Sequence, residues 1–151
     1  NGMYYLSNNH NLYHTDIKLE NIVLEQKNDL SNMKLIDFSN YVEIPRNVDY
    51  IAVPSWEYGT LDYLPPELLI GKLYKNSDVW SLGVLVYLLI TNKFIQENSS
   101  IVEVNQLTID LKLQRLQKKL IVSDKIFDLL WLMLRVDPND RLSIQELKRR
   151  L

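Results

Sequence analysis

The chain has 151 residues, 46% of them apolar and 24% charged, a length and balance that suit one compact domain with its own core. A formal charge of −2 argues against a nucleic-acid binder, which needs a net basic face to release counterions. The absence of cysteine removes disulfides and thiolate metal sites and fits an intracellular protein, in cytoplasm or nucleus. The chain does not begin with methionine and shows no signal segment, as expected of a piece of something longer.

The first ten residues read as the end of a helix carrying Met3, Tyr4 and Leu6, broken by the asparagines from Asn8 to Asn11. Two short apolar runs, Ile22 to Leu24 and Met33 to Ile36, flank the polar loop from Gln26 to Asn32 and predict a two-stranded hairpin. From Asp37 to Tyr58 no period is sustained, which predicts a long irregular segment of the kind that is usually functional or disordered.

Beyond Pro65-Pro66 helical signals dominate. Residues Asp78 to Thr91 are apolar almost all round, as in a buried central helix, and the stretch from Val79 to Asn92 is too short to cross a hydrocarbon core. No membrane partner is therefore expected, just as no nucleic acid is. Between Ile101 and Leu120 the pattern fits both periods, and helix is the preferred reading because Ile109, Leu113, Leu116 and Leu120 keep helical spacing. Ser123 can cap a helix running through Ile126, Phe127, Leu130 and Leu134, and Ser143 with Glu146 forms a capping-box pattern for a last short helix. Trp80, Tyr87 and Trp131 read as core, and His10 as surface.

The chemistry concentrates in His14-Thr15-Asp16-Ile17-Lys18-Leu19-Glu20-Asn21 and, after the hairpin, Asp37-Phe38-Ser39. Phosphoryl transfer explains this set: a carboxylate to accept the proton of an attacking hydroxyl, a cation near the moving phosphoryl group, and oxygen ligands to hold Mg²⁺ against phosphates. Asp16, Lys18, Asn21 and Asp37 supply those functions. A lone His-x-Asp is common in any turn, so the whole set carries the reading and no single member does.

The arrangement resembles the catalytic loop and metal-binding motif of the eukaryotic protein kinase superfamily in its serine/threonine form, marked by a lysine two residues after the base. The resemblance continues through Gly59-Thr60-Leu61-Asp62-Tyr63-Leu64-Pro65-Pro66-Glu67, which looks like the end of an activation segment, and Asp78-Val79-Trp80-Ser81-Leu82-Gly83, which resembles the start of the central helix. Arg141 matches a late arginine of the family, and the blocks Gly59 to Glu67 and Trp80 to Tyr87 look most like the Aurora kinases.

The resemblance implies an α+β, protein-kinase-like fold in which residues 1–151 are a mainly helical C-terminal lobe with a short β-hairpin, without the N-terminal lobe. It implies a catalytic loop over 14–21 and an activation segment over 37–67. Asp16 is then the base, assisted by Lys18 and Thr60; Asn21 and Asp37 are the Mg²⁺ ligands; and Lys18, Asn21, Val23 and Asp37 face ATP. Thr60 bonds the catalytic pair, Asp78 tethers the backbone of the catalytic loop, Arg141 forms a buried pair with Glu67, and His14 and Phe38 pack as internal supports. The partners implied are a protein substrate and a regulatory protein.

Departures from the pattern bear on function. Thr15 stands where the family has an arginine that grips a phosphorylated loop, and Ser39 where a glycine would permit positive φ. Trp56 stands where Aurora-like kinases carry the phosphorylated threonine, so the switch is expected to be abandoned, with Trp56 packing in its place. The other reading makes Ser55 the phosphosite, with Arg46 as its partner. No glycine-rich loop, strand lysine or helix glutamate for the nucleotide phosphates is present. A catalytically silent pseudokinase or interaction module is the competing reading, and a kinase-like small-molecule phosphotransferase ranks behind both.

Overall fold

A run of fifteen mostly apolar residues asks to be covered by protein, and the computed structural model covers it except toward its end, where Leu89 is exposed. Ser77–Thr91 forms the central helix, with Val79, Trp80 and Val84 wholly shut off from water. The structure describes residues 2–27, 29–54, 57–96, 104–119 and 122–151.

In chain order the elements are α1 (Gly2–His10), β1 (Leu12–Tyr13), β2 (Ile22–Leu24), β3 (Met33–Leu35), β4 (Val42–Glu43), β5 (Tyr50–Ala52), α2 (Pro66–Leu69), β6 (Lys72–Tyr74), α3 (Ser77–Thr91), α4 (Gln106–Lys119), α5 (Asp124–Met133) and α6 (Ile144–Arg150). The class is α+β, with helices packed on one another and three small antiparallel ribbons among the described residues.

Two apolar clusters share α3 between them. Trp80, Val84 and Leu85 pack with Ile109 and Leu113 of α4 and Leu130 of α5. Val79 faces the other cluster, with Leu64, Leu68, Leu73, Met133 and Leu147. Local chemistry sets the helix ends. Asn11 at φ 56° closes α1 and Asn92 at φ 54° closes α3, each in the left-handed conformation that asparagine tolerates. The Ser123 hydroxyl accepts the Ile126 N–H, and Ser143 with Glu146 completes the expected capping box.

Several expectations needed correction. The stretch 37–58 is not wholly irregular: β4 pairs with β1, and β5 pairs with β6 in the register Tyr50↔Tyr74, Ile51↔Leu73, Ala52↔Lys72. Strands of two or three residues cannot display an alternation, and their partners lie far away in sequence. The hairpin strand ends at Leu35, although the Ile36 N–H still donates to the Asn21 carbonyl. The helix before Asp137-Pro138 ends at Met133 with Leu134 as its cap. Trp131 is only partly covered and carries the Arg135 guanidinium over its ring at 4.2 Å. The helix expected between Ile101 and Leu120 is α4; residues 101–103 and 120 lie outside the described set.

The β5–β6 ribbon is reinforced at both ends and on its face. Val53 N–H donates to the Gly71 carbonyl at 2.9 Å and Lys75 N–H to the Asp49 carbonyl at 3.1 Å. The Tyr50 and Tyr74 rings stack at 4.8 Å, with the Lys72 ammonium 5.2 Å from the Tyr50 centroid. Gly71 sits at φ +74° with the Val53 carbonyl 2.8 Å from where a Cβ would stand, so this tight return accepts no side chain.

Glu67 and Arg141 lock the two ends of the helical region together. Arg141 Nη1 and Nη2 meet Glu67 Oε1 and Oε2 at 2.6 and 2.8 Å, a bidentate pair with the arginine side chain fully buried. Ser77 Oγ donates to the same Glu67 Oε1 at 2.8 Å, and Arg141 Nε donates to the Arg135 carbonyl at 3.0 Å. Removing one partner strands the other without water, at a typical cost of about 3–5 kcal/mol. Arg141→Ala is therefore expected to lower the denaturant midpoint sharply or prevent folding, whereas replacing both partners by apolar residues of similar volume recovers most of the loss. A midpoint equal to the parent's for Arg141→Ala would refute the pairing.

Candidate active site

Asp16 sits in the loop between β1 and β2, and that loop is held from beneath by Asp78. The Asp78 carboxylate accepts the N–H of His14 at 2.7 Å and of Thr15 at 2.8 Å. Burial pushes the Asp78 carboxyl above its ordinary value, and the two N–H bonds offset part of that rise. His14 is buried alongside. Its Nε2 lies 3.0 Å from the Ile36 carbonyl and its Nδ1 accepts the Asp16 N–H at 3.3 Å, which fits the Nε2-protonated tautomer.

With the loop so fixed, three side chains converge on the Asp16 carboxylate. Lys18 Nζ donates to Oδ2 at 2.7 Å, Thr60 Oγ1 to Oδ1 at 2.8 Å and Asn21 Nδ2 to Oδ2 at 3.2 Å. Lys18 Nζ also reaches Thr60 Oγ1 at 2.9 Å, and Asn21 Nδ2 reaches the Asp16 carbonyl at 2.8 Å. Burial works against ionisation of Asp16, but the bonds from Lys18, Thr60 and Asn21 together outweigh it and hold the carboxyl below its ordinary range. Lys18 moves the opposite way, raised chiefly by its bond to Asp16.

Thr60 arrives from a segment shaped by Gly59. At φ +79°, with the Leu64 side chain and the Thr15 carbonyl crowding the place of a Cβ, position 59 accepts only glycine. The following turn is anchored by Ser81 Oγ, which donates to the Tyr63 carbonyl at 2.9 Å.

The family model "Protein kinase domain" matches residues 1–150. The chain belongs to the protein kinase domain family. It is 33% identical over 146 residues, 92% of the chain, to an Aurora kinase of Eremothecium gossypii, of which it covers 35%. Over 78 residues, 51% of the chain, it is 45% identical to an Aurora kinase of Yarrowia lipolytica, of which it covers 19%. Over 84 residues, 55% of the chain, it is 39% identical to a human ribosomal protein S6 kinase-related protein, again covering 19%. The chain thus spans from about a fifth to about a third of the length of these relatives.

In this kinase domain the other residues singled out in the sequence stand as follows. Asp37 lies in the open turn after β3, at φ 60°, with Ser39 Oγ donating to its Oδ1 at 2.6 Å. The Ser39 bonds hold its carboxyl below the ordinary range, and the Lys18 charge adds to this. Strain in this turn falls on Asp37 and not on Ser39, whose φ is not positive, so the expected conformational penalty of losing a glycine at 39 does not arise.

Val23 stands on β2 opposite Lys34, 39% exposed, on the strand face away from Ile22. Phe38 is not the internal support expected. It is 40% exposed, touching His14 edge-on at 4.9 Å and lining an apolar cavity of about 480 Å³ with Ile17, Ile22 and Leu35. Ser55 and Trp56 lie outside the described residues, while Arg46 Nε donates to the Asn11 side-chain oxygen at 3.1 Å.

Mg²⁺ keeps several waters and asks for only one or two protein oxygens beside phosphate. Asn21 and Asp37 are such a set: an amide oxygen and an exposed carboxylate, with no cluster of three or more acidic, histidine or cysteine ligands among the described residues. In donor type, an amide oxygen and a carboxylate, the residues suit the ion. Ser77 and Ser81 were not read from the sequence as structural partners of Glu67 and Tyr63; two hydroxyls at the start of an otherwise apolar helix were the available signal.

Because the folded-state pKa of Asp16 lies below its ordinary 3.8, this group's contribution to stability is fully present above that value. It is lost as pH falls through the lower folded value. Unfolding free energies of the parent and Asp16→Asn are expected to differ by a margin that is constant above about pH 5 and shrinks on acidification below 3.8. A margin unchanged down to the acid transition would remove the assigned cause.

Proposed function

We propose that this chain is the C-terminal lobe of a serine/threonine protein kinase that moves the γ-phosphoryl group of ATP to a hydroxyl of a protein substrate. The observation that carries the reading is the Asp16 carboxylate gripped at once by Lys18, Thr60 and Asn21, since a binding module has no physical need for all four. The serine/threonine assignment rests on Lys18, two residues after the base.

Asp16 accepts the proton of the incoming hydroxyl. Its low basicity suits a loose transition state, in which the proton moves late and orientation matters more than base strength. Thr60 and Lys18 keep the carboxylate at a fixed angle, and Lys18 adds positive charge beside the transferring group. Asn21 and Asp37 would hold Mg²⁺, which supplies charge neutralisation at the phosphates when bound. The segment from Gly59 to Glu67 places Thr60 and borders the groove for the substrate, and Val23 offers an apolar surface to the base of the nucleotide. A regulatory protein remains part of the reading.

A second reading, the silent pseudokinase, is favoured by one observation: the Ser39 hydroxyl occupies Asp37 Oδ1, an oxygen a metal would need. The two readings part in a transfer assay with labelled ATP, magnesium and a serine/threonine peptide library, using the parent protein with its N-terminal lobe. Turnover is expected, with a loss of about 10²-fold or more in Asp16→Asn. No turnover, or turnover indifferent to Asp16, would establish the silent reading. The 151 residues alone are expected to show none, since its four glycines build no phosphate-binding loop.

Regulation is expected to be independent of phosphorylation in the activation segment, because β4 and β5 anchor that segment by backbone pairing and Arg46 is engaged by Asn11. Phosphatase-treated and untreated enzyme should differ by less than about twofold, on the reasoning that a phosphate orders a loop only where it recruits free cations. A tenfold drop reproduced by Ser55→Ala would overturn this.

A further inference from the structure

Thr15 is a β-branched residue at φ 65°, a conformation such side chains avoid, at a cost on the order of 1–3 kcal/mol. It persists there because three segments define its place. Its N–H donates to Asp78 Oδ1 on α3 at 2.8 Å, its hydroxyl donates to the Asn40 carbonyl at 2.7 Å, and its own carbonyl lies 3.0 Å from where a Cβ on Gly59 would stand. The residue is 5% exposed. It therefore borders the loop holding Asp16, the turn holding Asp37 and the segment delivering Thr60.

Among these contacts the hydroxyl bond is special in what it ties. The described hydrogen bonds inside the Asp37 turn are local: Ser39 to Asp37, and the Tyr41 N–H to the Phe38 carbonyl at a long 3.4 Å. The Thr15–Asn40 bond links this turn to the catalytic loop across 25 positions of sequence. The turn's flanks are held by His14 Nε2 on the Ile36 carbonyl at 3.0 Å and by the pairing of β4 with β1, while inside the turn Phe38, lying against His14 but 40% exposed, gives a weaker hold.

We propose that Thr15 is a positioning residue whose hydroxyl, by holding the Asn40 carbonyl, fixes the Asp37-Phe38-Ser39 turn relative to Asp16. The structural part stands on geometry alone; its consequence for phosphotransfer rests on the function proposed above. Thr15→Val keeps the branched shape and removes the donor, whereas Thr15→Ser keeps the donor and removes the branch.

The first measurement is amide hydrogen exchange across residues 37–41 of the full chain, without nucleotide or metal. Thr15→Val is expected to exchange about tenfold faster there, the size of effect given by one buried hydrogen bond, with the amides of α3 unchanged, and Thr15→Ser is expected to stay near the parent. In the active enzyme the same valine variant should raise the Mg²⁺ concentration for half-maximal rate about tenfold, with serine restoring it. Exchange in Thr15→Val equal to the parent's, or Thr15→Ser as fast as Thr15→Val, overturns the proposal. If valine folds too poorly, loss of α3 protection reveals it, and Thr15→Ala against Thr15→Ser makes the same comparison. Faster exchange in Thr15→Val, when the parent transfers no phosphate, keeps the tether and rejects the kinase reading instead.

Discussion

The Asp78 carboxylate accepts the N–H groups of His14 and Thr15 while wholly enclosed by protein, and the geometry of everything above it follows from that contact. A buried carboxylate is tolerable only when its oxygens are matched by donors, and amides supply matched donors without motion of their own. Since α3 is packed into both apolar clusters, the loop from His14 to Asn21 is referred to the buried centre of the molecule. That reference lets Thr15 hold a conformation it would not choose, and lets Asp16 meet Lys18, Thr60 and Asn21 without searching for them.

The other side of the site depends on a second buried arrangement. Glu67 follows Thr60 closely in sequence and is fastened to Arg141, Ser77 and through them to the far end of the chain. The Thr60 segment is thus held at its exit by an ion pair and in its middle by Ser81 on the Tyr63 carbonyl. Charge pairing of this kind contributes little net stability, but once it is buried, an arrangement that separates the partners is expensive.

What the sequence made legible was the part whose chemistry demands particular side chains at particular spacings. Asp16, Lys18 and Asn21 were named from their chemistry and Thr60 from the family resemblance, and the last three all meet the Asp16 carboxylate. The two carboxylates with structural duties, Glu67 and Asp78, were likewise paired with the right partners. Periodicity found the long helices, because an apolar face repeats often enough in them to be counted. It missed β4 and β5, which hold two and three residues and owe their pairing to tertiary contact. The exposure of Phe38 and the strain on Asp37 in place of Ser39 were also out of reach, since both depend on where the backbone turns and not on which residue types are present.

The β5–β6 ribbon has a consequence for how this molecule tolerates change. With Val53 bonded to Gly71, residues 54–70 leave and re-enter the body at one place, so they form a closed handle. Within it Thr60 serves the site, Glu67 is fastened to Arg141, and Tyr63, Leu64 and Leu68 belong to the core, so change is tolerated best at exposed positions such as Pro54 and Glu57. Inheritance of the fold then asks most of the handle's second half and of the two glycine-bearing returns at 59 and 71, and a new sequence is cheapest where the handle faces water.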